Sequence, residues 1–375
     1  AALVCARAAI CAYLTQRTVK MLYSREMSMR ESYKRHPYKM EYRMGLKNDG
    51  KISSVKVRML ADGGAYCSVT PWVTWRSTVQ CCGCYEVPNV HCDVYGVYTN
   101  NVFCGAFRGF GSPQVNFAIE QLVEIAANEL GMDEVTFRQV NMVHQGSETV
   151  TGQVLDSHVV SLTEVMNKVL NEIAYENKRK NCSYGDPSKD AWYGIGMAIS
   201  YRGMSLGAEG VDFNSAIVNV QPDGSVLIET GVHENGQGAE SAMILIASEE
   251  LGVPTNRIRY RMPSTSNIPD GGTTVASRGT LMGGGATTNA CNQLKEIITQ
   301  VIITEYGVSK ISFRDGNIWY SDTEQLCTWE QAIRLCYSKQ VYPYAFGVFQ
   351  APRVSWDEHT GQGDAYFTWV YACQA

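Results

Sequence analysis

The chain has 375 residues, 18% of them charged, with 32 Lys and Arg against 37 Asp and Glu for a formal net charge of −5. That length buries a sizeable core and predicts two domains, while the slightly acidic balance argues against a polyanion-seeking surface, so no nucleic-acid partner is expected. No apolar run reaches the roughly 18 residues that a membrane helix needs, so no membrane partner is expected either. The first expected element is a helix near residues 3–14, within AALVCARAAICAYL. It has the apolar character of a secretory leader but no basic start and no methionine, so it reads as an internal helix of a longer protein, with a processed N-terminus as the alternative. A hairpin follows, Tyr38–Leu46 and Ile52–Leu60, turned by Asn48-Asp49-Gly50. Cys81, Cys82 and Cys84 are the only cluster among thirteen cysteines, in a stretch that reads as loop and strand. No second pair stands at zinc spacing and the iron–sulfur spacings are absent. Free buried thiols in a reducing, cytoplasmic compartment are therefore expected, and no direct metal ligand is assigned. Strand-like sequence continues over Val87–Val97.

The densest motif comes next: Gly105-Ala106-Phe107-Arg108-Gly109-Phe110-Gly111-Ser112-Pro113-Gln114. Glycine permits close backbone approach and positive φ. Ser112 is the expected N-cap with Pro113 in the first turn. Val115, Ile119, Leu122, Val123, Ala126 and Leu130 recur at helical spacing, and Gly131 ends the pattern. A glycine-rich loop feeding a helix start, with Arg108 aimed into it, suits an anion such as phosphate. A tight turn whose arginine pairs with a structural carboxylate is the alternative. Asp133 is expected to cap a helix at 134–143, and residues 161–179 form an amphipathic helix. The polar run Glu176–Asp190 is the expected domain boundary.

The second half predicts strands at Gly194–Tyr201, Ala216–Val220 and Val226–Glu229. Gly231–Gly238 (GVHENGQG) then opens a helix at about 238–251, stopped by Gly252 and Pro254. A strand at Ile258–Met262 precedes a long Gly/Ser/Thr loop, and Gly283-Gly284-Gly285 open a helix to about Glu305, a place where a pyrophosphate fits. A hairpin turns at Asp315-Gly316, Thr328 and Gln331 make a capping box, and Tyr366–Cys373 is strand-like. Hairpins mixed with helices indicate α+β, without regular βαβ alternation.

The run 105–114, the Gly-Gln-Gly loop and Thr273–Gly279 (TTVASRG), together with Val19–Pro37, occur in one order along the chain. This set resembles the molybdopterin-binding region of the molybdenum hydroxylases, the xanthine dehydrogenase and aldehyde oxidase family. The resemblance implies two mixed α/β domains with a cofactor cleft between them. The first would cover 1–180, lacking its N-terminal part, and the second 190–375, lacking its C-terminal part. It places Ala106, Phe107, Arg108, Gly236, Gln237, Gly238, Thr274, Ala276 and Ser277 at the molybdenum cofactor, with or without a cytosine nucleotide on the pterin. Val275 shares the last of these loops. Arg76, Phe110 and Met27 fall at the substrate. The purine enzymes carry a glutamate where an ungapped alignment puts Met27, a departure from a xanthine-type pocket. For Phe110 a loop-anchoring role, and for Arg76 a surface role, are the alternatives. No catalytic residue is expected in this chain: the family's glutamate base would lie beyond Ala375. Iron–sulfur (2Fe-2S) and flavin (FAD) groups on other domains or subunits, a homo- or hetero-oligomer and a small heterocyclic substrate are also implied. The expected reaction is hydroxylation of a purine or nicotinate-like heterocycle with water as oxygen source. Aldehyde oxidation within the same family, or a catalytically silent scaffold, are the alternatives.

Overall fold

The computed structural model describes residues 2–181, 194–266 and 268–375. The chain forms two compact units. The first contains Ala1–Gly83 and Val87–Asn141; the second contains Cys84–Glu86 and Met142–Ala375. Of the expected boundary stretch Glu176–Asp190, residues 182–190 lie outside the described residues.

The first unit runs α1 (Ala2–Thr15), α2 (Arg25–Glu31), β1 (Tyr38–Leu46), β2 (Ile52–Gly64), α3 (Thr70–Val79), β3 (Val90–Tyr98), α4 (Ser112–Glu129) and α5 (Glu134–Asn141). Strands β1 and β2 pair antiparallel, and β3 joins β2 in parallel after the α3 crossover. Val55, Val57, Met59 and Ala61, at every second position of β2, are buried, as strand alternation requires. α3 supplies Val73 and Val79, and α4 supplies Val115, Ile119, Val123 and Ala126. Asp133 accepts from the Thr136 N–H at 2.9 Å and starts α5, as expected. Ser112 is not the N-cap of α4: Gly111, at φ 97°, holds that place, and Ser112 is already helical.

The second unit runs α6 (Leu162–Glu172), α7 (Tyr175–Asn181), β4 (Ala198–Gly203), β5 (Phe213–Val220), β6 (Val226–Thr230), α8 (Ala239–Leu251), β7 (Ile258–Tyr260), α9 (Gly284–Tyr306), β8 (Ser312–Arg314), β9 (Asn317–Trp319), β10 (Gln325–Thr328), α10 (Trp329–Ser338), β11 (Tyr344–Gln350), β12 (Trp356–Asp357), β13 (Gln362–Gly363) and β14 (Trp369–Gln374). The expected single helix at 161–179 is two, broken where Ala174 takes φ 52°. The central sheet has the order β11-β5-β6-β7. Val218, Val226, Ile228 and Ile258 from it pack with Met243 and Leu251 of α8, Leu294 and Ile298 of α9, and Trp329 of α10. The Thr328–Gln331 capping box forms as read, and Trp329 donates its ring N–H to the Gly224 carbonyl at 2.8 Å.

Gly283-Gly284-Gly285 lie within helix, because a π-helical turn over Gly279–Gly283 leads directly into α9. A Cβ on Gly284 would stand 2.7 Å from Ile246 and one on Gly285 2.7 Å from Phe349. These glycines let α9 approach α8 and β11, and they lie inside the helix, the first of them four residues past its start at Gly279, instead of opening it.

Candidate cofactor site

In the second unit two loops meet. Gly231, at the end of β6, passes so close to the 269–271 backbone that a Cβ there would stand 2.6 Å from the Gly271 nitrogen. Further along, the His233 N–H donates to Thr274 Oγ1 at 2.9 Å. The structure therefore brings together the Gly-Gln-Gly loop and the Thr274–Ser277 loop.

The first of these loops ends on α8, and its capping is internal. Glu234 accepts from the N–H groups of Gly236 (2.6 Å), Gly238 (3.1 Å) and Glu240 (3.2 Å). These donors, Gly238 foremost, hold the Glu234 carboxyl below the usual glutamate range, as hydrogen bonds to the charged form do. The positive helix terminus is thus occupied by a carboxylate of the protein itself. Gln237 also turns inward: its Nε2 donates to the His233 carbonyl at 2.8 Å, and its Oε1 accepts from the Asn235 N–H at 2.5 Å. Gly236 and Gly238, at φ 90° and 81°, face open space where a Cβ would meet nothing within 4 Å.

The Thr274–Ser277 loop is shaped differently. Ala276 and Ser277 both take left-handed backbone, φ 55° and 56°, a conformation costly for residues with a Cβ. Among the described residues their N–H groups have no backbone acceptor, and the exposed Ser277 hydroxyl makes no hydrogen bond. Arg278, 4% exposed, grips the loop from beneath. It donates to Asp212 Oδ1 (2.6 Å), to the Phe213 and Gly271 carbonyls (2.8 and 3.1 Å) and to the Thr273 carbonyl. Sequence reading missed Glu234 and Arg278. An acidic residue just ahead of a helix start signals Glu234, but Arg278 depends on a partner 66 positions away.

In the first unit the 105–111 loop is folded by its glycines. Gly105 has no room for a Cβ against the Tyr33 ring, nor Gly111 against the Val73 carbonyl and Ser77 Oγ, the latter 2.7 Å away. Ala106, Phe107 and Arg108 are left exposed. The Arg108 side chain is exposed and makes no hydrogen bond or ion pair among the described residues. Arg35 is the cation in contact with the loop. Its guanidinium lies 4.4 Å from the Phe107 ring centroid, and Nη2 donates to the Arg108 carbonyl at 2.6 Å. The segment carrying Arg35 is held alongside by the Gly105 N–H bond to the Lys34 carbonyl.

Of the substrate candidates, Arg76 and Phe110 come together, the guanidinium 5.3 Å from the ring centroid. Arg76 is a buried residue of α3, only 2% exposed, so it is not a surface arginine. Phe110 holds φ 51°. Met27 sits apart from this stack on α2, where its N–H donates to the Ser24 cap, and it is 43% exposed. Among the described residues no three His, Cys, Asp or Glu side chains gather to hold a metal ion. Cys81, Cys82 and Cys84 are buried, and the Cys81 thiol is pushed up first by its contact with Cys82.

Two family models match this chain, each described as a molybdopterin cofactor-binding domain, over residues 1–142 and 168–375. Xanthine dehydrogenase/oxidase of Gallus gallus is 29% identical over 369 residues, which is 97% of this chain and 26% of that protein. The nicotinate dehydrogenase large molybdopterin subunit of Eubacterium barkeri is 42% identical over 174 residues, 46% of this chain and 41% of that subunit. Among solved structures, aldehyde oxidoreductase from Desulfovibrio gigas superposes with a TM-score of 0.79 at 25% identity, over 97% of this chain and 37% of that one. This chain belongs to the molybdopterin-binding region of the molybdenum hydroxylases, the xanthine dehydrogenase and aldehyde oxidase family. It spans between about a quarter and two fifths of the length of these relatives.

The residues present fit that cofactor. Two adjacent N–H groups without backbone acceptors beside a free hydroxyl, at Ala276 and Ser277, suit an anionic tail. The open face over Gly236 and Gly238 admits a flat ring close to the backbone.

Proposed function

We propose that this chain supplies the cofactor loops and part of the substrate wall of an enzyme that hydroxylates a nitrogen heterocycle, purine or nicotinate-like, with water as oxygen source. Ala106, Phe107 and Arg108 in the first unit, and Gly236, Gln237, Gly238, Thr274, Ala276 and Ser277 in the second, would hold the molybdenum cofactor, with or without a cytosine nucleotide. The cofactor-binding parts are taken as 1–180 and 190–375. When bound, the cofactor supplies the two-electron oxidation and the transfer of oxygen to carbon. The chain's share is to present donors to the cofactor, to position the ring and to stabilise developing charge on it. Iron–sulfur and flavin domains or subunits, an oligomeric assembly and a cytoplasmic location complete the proposal.

The observation that carries the heterocycle reading is the Arg76–Phe110 pair, a planar fork of donors beside an aromatic face. The 42% identity to a nicotinate dehydrogenase subunit supports it. The aldehyde reading draws on the likeness to aldehyde oxidoreductase. The assembled enzyme distinguishes the two. Arg76→Lys should lower kcat/KM for nicotinate or a purine by about 10²-fold, the scale for one lost charge-stabilising donor, and should affect an aldehyde much less. Equal loss on both classes would make Arg76 a packing residue and remove the preference for heterocycles.

A further inference from the structure

We infer that Arg278 and Asp212 are positioning residues that clamp the 271–277 loop in the shape that receives the cofactor; this rests on the function proposed above. The loop's apex is two consecutive residues with side chains in left-handed backbone, Ala276 and Ser277. Such a conformation persists only where its surroundings over-determine it. Here one guanidinium bonds the loop at two carbonyls, alongside the contacts of Asp270 with Gly272 and of His233 with Thr274.

Arg278 bonds the carbonyls of Gly271 and Thr273 at the entry of the loop and, through its own backbone, closes the exit: its N–H donates to the Val275 carbonyl at 3.0 Å. Its remaining donors reach the Phe213 carbonyl and Asp212 Oδ1 at the start of β5. Asp212 is fixed in turn. Oδ2 accepts from the Leu206 N–H at 2.9 Å, and its carbonyl accepts from the Ala351 N–H at 2.9 Å. The ion pair is almost wholly buried, with side-chain exposures of 5% and 1%. Packing alone would favour an apolar pair at such a place, so the charges are better explained by what the fork holds: three carbonyls at fixed spacing, which lysine cannot match. Gly272 leaves room for it, since a Cβ there would stand 3.2 Å from Nη1. Through the bond from His233 N–H to Thr274 Oγ1 the same clamp steadies the Gly-Gln-Gly loop.

The test uses the complete enzyme with Arg278→Lys, which keeps the charge beside Asp212 but loses the fork, and Asp212→Asn, which keeps the side-chain shape outside the loop but removes the charge that holds the guanidinium. Amide hydrogen exchange before cofactor loading should accelerate by about tenfold or more over 271–277 while β5 and α9 stay protected. Molybdenum retention should fall by about tenfold, the scale seen when a residue supporting a ligand shell is removed. Should Arg278→Lys fail to fold, Asp212→Asn gives the same readings. Exchange that rises equally through β5, α8 and α9 would make the pair a general stabiliser, and wild-type exchange over 271–277 in both variants, or full molybdenum in both, would equally overturn the inference. Absence of molybdenum from the wild-type enzyme would instead overturn the proposed function, leaving the exchange comparison to judge the clamp by itself.

Discussion

The loops at 105–111 and 271–277 solve one problem in opposite ways. In the first, three glycines occupy places where side chains would collide, and Arg35 bonds the Arg108 carbonyl and packs on Phe107. In the second, residues with side chains hold left-handed backbone, and a buried arginine beneath the loop supplies the restraint. In both, an arginine from outside the turn bonds a loop carbonyl. The first loop stores most of its shape in glycine sterics, with Phe110 its single non-glycine at positive φ, whereas at the apex of the second Ala276 and Ser277 rely on polar restraint. A steric hold is indifferent to charge; a polar one fails when its donor changes.

Four substitutions probe these restraints and those of the neighbouring Gly-Gln-Gly loop. The largest effect belongs to Gly111→Ala, which sets a Cβ against the Val73 carbonyl at φ 97°. It should destabilise the first unit by about 2–3 kcal/mol, read as a lowered denaturation midpoint. Gly236→Ala also meets positive φ, but opens onto space, so thermal unfolding should show a loss of only about 1 kcal/mol. Molybdenum content should nevertheless fall, because the new methyl group occupies the face offered to the ring. Arg35→Ala removes the bond to the Arg108 carbonyl and the contact with Phe107, together about 1–2 kcal/mol. Faster proteolysis near residues 106–109 would register it.

The smallest effect concerns acid. Glu234 has a carboxyl held below its ordinary value of 4.5 by the loop amides. Its tether is therefore complete at neutral pH and is lost as pH falls below that value and through the lowered one. Glu234→Gln should leave the neutral-pH fold intact and flatten the acid limb of a stability-against-pH curve. An unchanged acid limb would show that the carboxylate does not tie the loop.

Local pattern made much of this molecule legible. The hairpin at Asn48-Asp49-Gly50, the period of α4, the Gly252 stop of α8 and the Thr328–Gln331 box each depend on neighbours in sequence, and each stands where it was read. Helix α3 escaped because Thr70, Val73, Thr74 and Trp75 favour strands; packing of Val73 and Val79 in the core overrides that preference. The candidate site was legible as two glycine-rich loops and opaque in its supports. Arg35 and Arg278 find their partners 73 and 66 residues away, and no spacing rule reports such a pairing. Arg108, conspicuous in the motif, is exposed and unbonded among the described residues, and the cation that braces the loop is the inconspicuous Arg35.

Molybdenum analysis of the complete purified enzyme, wild type beside Arg108→Ala, decides whether these loops hold the cofactor. About one molybdenum per copy of this chain is expected in the wild type, with a clear loss in the variant, because the Arg108 cation is exposed and makes no hydrogen bond or ion pair among the described residues and so is open to an anionic ligand. A wild type without molybdenum, or a variant that retains it in full, would contradict the account.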